Sequence, residues 1–489
     1  MGCTTILVGK DASYDGSTLV ARNEDSANGE WNPKRVTVVH PEDQPRHYTS
    51  VIGGLTIDLP NDPMRYTATP NAVDTEGIWG AAGINAANVA MSATETLTTN
   101  QRVRGADPFV ERQGDQPGGI GEEDFLTLVL PYIRSAREGV LRLGALLERY
   151  GTYEMNGVAF SDVDEIWWLE TVGGHHWIAR RVPDDRYVTM PNQLGIDSFD
   201  LDDAEGAGRE YLASADLRSF INEHHLDLAL APSSVINPRE VFGSHTDSDH
   251  VYNTPRAWDM QRRLNPSSAD FTGTAPRLSP TSDDIPWSRI PERKLTIEDV
   301  KDVLSAHYQG TGYDPYSPLG TEAQRHLYRP IGINRHSQLS VLQIRPYRPE
   351  ASRAIQWVAF ASNPFNTLVP LFTNVESMPG YLESTTGRVT TDTLYWSSRI
   401  IAALADAHFA DSIPEVERYQ EKTGAIGHFA VARADDQVSA LEGSAVSEAL
   451  ATANEALAEQ IRTETDALLS AVLVVASNGM HNRFSRSDN

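Results

Sequence analysis

The chain has 489 residues, of which 40% are hydrophobic and 22% are charged, a composition typical of a globular protein. Its 67 acidic residues outnumber 41 basic ones, and the formal net charge of −26 argues against a general role in binding nucleic acid, because phosphate contacts need a basic surface. No apolar run is long enough to span a bilayer and no secretory signal begins the sequence, so we expect a cytoplasmic protein that does not bind membranes.

The first third of the sequence is predicted to form short strands joined by turns. Residues 4–8 are apolar and β-branched, 14–17 favour a turn, and 18–22 resume a strand, which together predict a hairpin. Residues 101–121 are rich in glycine, proline, glutamine and charge, and predict either a mobile loop near the site or a surface excursion. Further short strands are predicted at 35–40, 64–69, 78–83 and 89–96.

The pattern then changes to helical spacing. Residues 122–150 carry apolar side chains at helical intervals, with an interruption near Glu138 and Gly139. Groups of strands alternate with groups of helices after this point, which predicts an α+β fold with packed sheets and helical outer layers. The predicted strands are 157–161, 166–171, 175–180, 187–190, 337–344 and 355–361, and the predicted helices are 200–222, 296–307, 392–410 and 444–476.

The chain has a single cysteine, Cys3, which immediately precedes the first predicted strand. A lone thiol excludes an internal disulfide and suits a reducing cytoplasm. If residues 1–2 are removed, Cys3 becomes the first residue, and its α-amino group, with an ordinary pKa of about 7.7–8.0, can accept the thiol proton near neutral pH. The position therefore indicates a nucleophile, although a small apolar residue in a strand is the commoner role of a lone cysteine.

Arg22 and Asp25 lie at the end of the second predicted strand. The predicted hairpin returns Arg22 towards Cys3, where a guanidinium favours the thiolate and lowers the pKa of the thiol. Asp25 is then placed to accept a hydrogen bond from the α-ammonium group. An Arg-x-x-Asp sequence alone is more often an exposed ion pair, so the functional interpretation depends on the cysteine.

The residues 3–5 (Cys-Thr-Thr) and 22–25 (Arg-Asn-Glu-Asp) resemble the start of the dipeptidase A family, which are N-terminal-nucleophile cysteine peptidases related to secernins. Penicillin V acylases and bile-salt hydrolases are more distant kin. The segments similar to the same family are 83–85 with 92–96, 168–170 with 174–177, and 182–185 with 190–193. The resemblance implies a four-layer αββα sandwich with added C-terminal helices. In this division residues 1–2 are removed, residues 3–390 form the core with insertions, and residues 391–489 form a helical part that packs on the core.

The catalytic residues implied by this resemblance are Cys3, Arg22, Asp25, Asn192 and Arg256. In the implied mechanism Cys3 attacks the scissile carbonyl, and its own amine takes and later returns the proton. Asn192 resembles the asparagine that supplies a side-chain donor to the oxyanion hole, and a backbone N–H near 94–95 is the candidate second donor. Arg256 resembles an arginine that the acylase relatives hold near the nucleophile. From the residues alone, Asn192 is equally typical of a turn after proline.

The implied function is hydrolysis of dipeptides of broad composition, with small peptides as substrates, no cofactor and no metal, and with homo-oligomer formation left open. The alternatives are a penicillin V acylase-like or bile-salt-hydrolase-like amidase with a larger acyl pocket, and a secernin-like regulatory protein without activity. A metal site built from His175, His176, His245 and His250 with Asp247 and Asp249 is disfavoured, because the spacing matches no zinc motif. Trp167, Trp168 and Trp177 are predicted to belong to the core or a pocket wall.

Overall fold

The computed structural model describes residues 2–73, 75–231 and 233–484, and within these ranges it is an α+β protein, as predicted. Its strands are β1 Cys3–Val8, β2 Thr18–Asp25, β3 Thr37–Val39, β4 His47–Thr49, β5 Thr56–Asp58, β6 Tyr66–Ala68, β7 Ala82–Ile84, β8 Ala90–Thr96, β9 Asn156–Ser161, β10 Ile166–Thr171, β11 Trp177–Arg181, β12 Tyr187–Met190, β13 Phe199–Asp200, β14 Tyr211–Ala213, β15 Val235–Ile236, β16 Ser288–Arg289, β17 His336–Ile344, β18 Ala354–Phe360 and β19 Val369–Phe372. Its helices are α1 Gln101–Ala106, α2 Glu122–Val129, α3 Ala136–Tyr150, α4 Leu201–Glu205, α5 Leu217–Glu223, α6 Pro238–Phe242, α7 Asp249–Tyr252, α8 Thr254–Leu264, α9 Ile297–Leu304, α10 Glu322–Arg325, α11 Gly380–Glu383, α12 Leu394–Asp406, α13 Phe409–Val438 and α14 Ser444–Asn478. Short 3₁₀ helices lie at Pro41–Asp43, Leu130–Tyr132, Glu350–Ser352 and Asn363–Phe365.

Two antiparallel sheets form the centre of the molecule. The first has the strand order β16-β12-β1-β2-β17-β18-β19, and the second has the order β14-β11-β10-β9-β8-β7. The predicted hairpin is confirmed, because β1 pairs with β2 and places Cys3 opposite Glu24 and Thr5 opposite Arg22. On its other side β1 pairs with β12, so that the strand carrying the cysteine lies inside the sheet.

Buried apolar clusters occupy both faces of the first sheet. Leu7 of β1 belongs to a cluster that also contains Trp168 of the second sheet, so this cluster fills the space between the sheets. Its neighbour Ile6 points to the opposite face, as the alternation of side chains along a strand requires. It belongs to a separate cluster that also contains Val300 and Leu304 of α9, a helix that contacts β1. The outer face of the second sheet is covered in the same way by α2 and α3, in a cluster that includes Trp167 and Trp177. The three tryptophans are therefore core residues, as predicted.

The long helix predicted over 122–150 is interrupted earlier than expected. The break falls at the 3₁₀ helix Leu130–Tyr132, where Pro131 cannot supply the backbone donor that a continuing α-helix needs. Gly139 instead lies inside α3. A Cβ added there would overlap the ring of Phe160, so the glycine permits close packing of α3 on the sheet and does not end the helix.

Two other predicted segments contain different elements. The predicted loop over 101–121 begins with α1, whose cap residue Asn100 accepts hydrogen bonds from the N–H groups of Arg102 and Val103. The predicted helix over 200–222 is divided into α4, β14 and α5, since β14 pairs with β11 at the edge of the second sheet. Pairing with an existing sheet edge is a tertiary effect that outweighs local helix propensity.

The C-terminal region contains three long helices where two are predicted. The additional helix is α13, which carries Pro414 and two glycines and therefore has a weak helical signal in the sequence. A Cβ on Gly427 would lie 3.1 Å from Cδ of Pro370, so this glycine lets the helix pack closely on β19. Among the described helices, none is both long enough and apolar enough to cross a membrane.

Candidate active site

Cys3 lies at the start of β1, at one end of the space between the two sheets. Its side chain is completely buried. Thr5, two residues further on, shares the same face of the strand. The hydroxyl of Thr5 donates to Oε2 of Glu95 on β8 over 2.8 Å. Because β8 belongs to the second sheet, the cysteine side chain faces that sheet.

Arg22 is the cationic neighbour of the thiol. Its Nη1 lies 3.1 Å from Sγ of Cys3 and donates to the carbonyl oxygen of Thr94 at 2.9 Å. Its Nε donates to Oγ of Ser92 at 3.0 Å, and its Nη2 donates to Oε2 of Glu24 at 3.1 Å. These contacts span both sheets and hold the guanidinium in one orientation against the sulfur.

The electrostatic environment of the thiol is set by burial and by Arg22. Burial raises the pKa of the Cys3 thiol well above its ordinary value, and the positive charge of Arg22 acts in the opposite direction. The carboxylates of Glu95 and Glu122 add to the rise. Formation of a thiolate here therefore depends on the guanidinium and on a nearby base.

Arg22→Ala is expected to raise the pKa of the Cys3 thiol further and to lower turnover at neutral pH. A rise of one pKa unit leaves about tenfold less thiolate at a given pH. The fold is expected to survive, because Nζ of Lys34 lies 2.5 Å from Oε1 of Glu24 and still balances that charge. The measurement is the pH dependence of both turnover and thiol alkylation. Arg22→Lys, which keeps the charge without the planar fork, is the control. Identical pH profiles for wild type and Arg22→Ala would contradict this role.

Asn192 and Arg256 approach the backbone of Cys3 from distant parts of the chain. Oδ1 of Asn192 accepts hydrogen bonds from the Cys3 nitrogen at 3.2 Å and from Nη2 of Arg256 at 2.8 Å. Arg256, at the start of α8, also donates from Nη1 to the Cys3 carbonyl oxygen and to Oγ1 of Thr4. Nδ2 of Asn192 donates to the carbonyl oxygen of Thr96 at 2.9 Å. The structure thus brings Asn192 and Arg256 to Cys3, as the resemblance implies.

Asp25 lies next to Gly2, and its carboxylate binds cationic side chains. Its backbone N–H donates to the Gly2 carbonyl oxygen at 3.1 Å. Its Oδ2 accepts from Nη2 of Arg329 and lies 3.5 Å from Nε of Arg335. Burial acts to raise the pKa of this carboxyl, but Arg329, His336 and Arg335 together lower it below its ordinary value. The Cys3 nitrogen donates to Oδ1 of Asn192, so the predicted bond from Asp25 to the mature α-amine stays a prediction.

Several residues of the site are not among the predicted catalytic residues. Glu24 and Lys34 neutralise one another beside Arg22, and Glu95 and Glu122 are buried carboxylates near the thiol. Burial raises the pKa of Glu95 to about 8, against the lowering effect of Arg256. A signal for Glu24 exists in the sequence, since it lies two residues from Arg22 on the same strand and so shares its face. Glu95 lies in the family-like segment 92–96, and no comparable local signal indicates Lys34 or Glu122.

The histidines considered as metal ligands are divided between two places. Nδ1 atoms of His175 and His176 lie 2.9 and 2.7 Å from the two carboxylate oxygens of Asp107. His250 instead pairs with Asp283 through Nε2 at 2.8 Å. Over residues 2–73, 75–231 and 233–484, no group of three or more histidine, cysteine, aspartate or glutamate side chains is arranged to hold a metal ion.

Comparison with known proteins places this site in a family. The sequence model of peptidase family C69 matches residues 2–422. A dipeptidase of Bifidobacterium longum (strain NCC 2705) is 62% identical to the chain, with both proteins covered completely. A probable dipeptidase A of Streptococcus pyogenes serotype M1 is 56% identical over 99% of this chain and 98% of the relative, and dipeptidase A of Lactobacillus helveticus is 45% identical over 96% of each. The resemblance to the dipeptidase A family is thereby confirmed, and the chain belongs to peptidase family C69.

Proposed function

We propose that the chain is a cysteine-type dipeptidase of the N-terminal-nucleophile class. The observation that carries the proposal is the contact of 3.1 Å between Sγ of Cys3 and Nη1 of Arg22 at the start of a buried strand, in a chain whose relatives are named dipeptidases. The two facing sheets, with helices on both outer faces, support the four-layer αββα sandwich of this class. In this proposal residues 3–390 form the catalytic core and 391–489 pack on it.

The chemistry requires a base for the thiol proton and a donor for the oxyanion. Once residues 1–2 are removed, the Cys3 nitrogen becomes a free amine beside its own sulfur, and the contact with Oδ1 of Asn192 orients it. The amine takes the thiol proton, and the thiolate attacks the scissile carbonyl carbon. The amine then protonates the leaving amine as the C–N bond breaks, leaving a thioester that water hydrolyses with the same amine as base.

The mature enzyme is expected to begin at Cys3. Met1 lies outside the described residues, and Gly2 is closely surrounded: a Cβ added there would overlap the hydroxyl of Tyr252 and lie 2.8 Å from Oδ2 of Asp25. A free α-amine is needed because the group that contacts the thiol within the described residues is the guanidinium of Arg22, which cannot accept a proton. Intact mass and N-terminal sequencing of the active protein test this expectation. A fully active preparation that begins uniformly at Met1 or Gly2 would contradict the mechanism.

A substrate panel separates the proposed activity from its alternatives. Purified protein is incubated with dipeptides of varied composition, penicillin V and a conjugated bile salt, and the released amines are quantified. We expect hydrolysis of many dipeptides and little or none of the two larger amides. Preferential cleavage of penicillin V or the bile salt would favour an acylase. A folded protein with a free N-terminal Cys3 and no activity on any of them would favour a secernin-like role.

A further inference from the structure

Glu122, the first residue of α2, is a buried carboxylate whose side chain lacks hydrogen-bond partners. It is 2% exposed, and both of its carboxylate oxygens are without a hydrogen bond among the described residues. Nη1 of Arg22 lies 3.9 Å from Oε1, too far for a hydrogen bond. Arg22 is already bound by Glu24 at 3.1 Å. A buried carboxylate in this condition is costly unless it has a partner in some functional state.

The structural roles available to an acidic residue at a helix start are filled by its neighbours. Asp124 accepts a hydrogen bond from the N–H of Gly121 at 3.1 Å and so satisfies the start of α2. Glu123 accepts hydrogen bonds from Oγ of Ser50 and from the hydroxyl of Tyr153. Glu122 does neither of these things with its side chain. Burial raises the pKa of its carboxyl above the ordinary value, and the positive charge of Arg22 acts in the opposite direction.

Glu122 is close enough to the thiol to contact a bound substrate. Nη1 of Arg22 is 3.1 Å from Sγ of Cys3 and 3.9 Å from Oε1 of Glu122, so the sulfur and the carboxylate are no further apart than the sum of these distances, about 7 Å. In a dipeptide the α-nitrogen lies about 2.5 Å from the carbonyl carbon that is attacked, two bonds away. With the sulfur about 3–3.5 Å from that carbon, the nitrogen falls within hydrogen-bonding reach of a carboxylate at this separation.

We infer that Glu122 binds the α-ammonium group of the substrate residue whose carbonyl Cys3 attacks. The inference rests on the proposed function and adds a determinant of its substrate class. A free amino terminus would supply the hydrogen-bonded cation that Glu122 lacks, in a charge-assisted hydrogen bond. Peptides extended or acylated at that nitrogen lack the charge and place additional atoms against the carboxylate. The enzyme is therefore restricted to substrates cleaved after their first residue.

The test compares alanyl-alanine with lactoyl-alanine, in which a hydroxyl group replaces the ammonium at nearly the same size. For the wild-type enzyme we expect kcat/KM for alanyl-alanine to exceed that for lactoyl-alanine by about 10²-fold or more, because the hydroxyl leaves the buried carboxylate without an opposite charge. In Glu122→Gln this ratio of kcat/KM values is expected to fall below about tenfold. The fall is expected to come from a lower kcat/KM for alanyl-alanine, with the value for lactoyl-alanine unchanged. Glu123→Gln is the matched control, since its oxygens bind Ser50 and Tyr153, and it is expected to keep the wild-type ratio.

Several outcomes would overturn the inference. A wild-type ratio near one would do so without any variant, and so would an unchanged ratio in Glu122→Gln. An equal loss of kcat/KM for both substrates in Glu122→Gln would mean that Glu122 acts on the nucleophile and does not bind the substrate. If Glu122→Gln does not fold or mature, the two amides are compared as inhibitors of alanyl-alanine hydrolysis by the wild type. We expect alaninamide to inhibit more strongly than lactamide, and equal inhibition would overturn the inference. Hydrolysis of neither compound by a mature wild-type enzyme would contradict the proposed function itself, whereas equal hydrolysis of both contradicts only the role of Glu122.

Discussion

Replacing Cys3 with alanine is expected to lower kcat/KM on dipeptides by about 10⁴-fold or more while the fold is retained. Cys3 is the only cysteine in the chain, so no second thiol can replace it. Its sulfur is the atom that would form the thioester, and Arg22 lies 3.1 Å from it. Alanine is small and apolar, so it fits the buried strand position with the loss of one sulfur atom. Steady-state kinetics give the loss, and thermal unfolding monitored by circular dichroism tests the fold.

Chemical modification provides the control for this variant. Alkylation of the one thiol is expected to inactivate the wild type in proportion to the fraction modified, because each molecule carries a single reactive group. Chelators are expected to have no effect on activity. Full activity after stoichiometric alkylation would exclude a cysteine nucleophile. Loss of activity with a chelator, restored by a metal ion, would favour a metal-dependent mechanism.

Asn192→Ala is expected to lower kcat by about 10²–10³-fold with a much smaller effect on KM, the usual result of losing one oxyanion donor. The amide nitrogen carries two N–H groups, and one of them donates to the Thr96 carbonyl oxygen at 2.9 Å. The other is the proposed oxyanion donor. The substitution also removes the contact of Oδ1 with the Cys3 nitrogen, which disturbs the orientation of the base. Kinetics with a dipeptide at saturating and limiting concentrations separate kcat from KM.

Two further variants define what the Asn192 result means. Asn192→Asp is expected to be at least as damaging, because a carboxylate repels the developing negative charge. Gln193→Ala is the matched control, since that neighbouring amide donates to the Ser244 carbonyl oxygen and not to Cys3, and near-wild-type kinetics are expected. A change in KM alone for Asn192→Ala would assign the residue to substrate binding.

The part of the site that is close in sequence could be predicted from the sequence itself. Cys3 and Arg22 lie on two consecutive strands joined by residues 9–17, and the alternation of side chains along each strand determines that both face the same way. The α+β class follows from the order of the predicted elements. The family also follows from local motifs, because a reactive cysteine at the start of a chain requires particular residues at fixed spacing around it.

Contacts between distant segments are decided only by the tertiary structure. Asn192 and Arg256 reach Cys3 across 189 and 253 residues, and the burial of Glu122 without a partner appears only when α2 packs against the second sheet. The same reason explains the errors in the predicted helices, since Gly427 in α13 is unfavourable for a helix in isolation and is needed for close packing on β19. Local sequence therefore determined the nucleophile and its guanidinium, whereas the neighbours that would orient the amine and bind the substrate depend on long-range packing, which carries no local periodic signal.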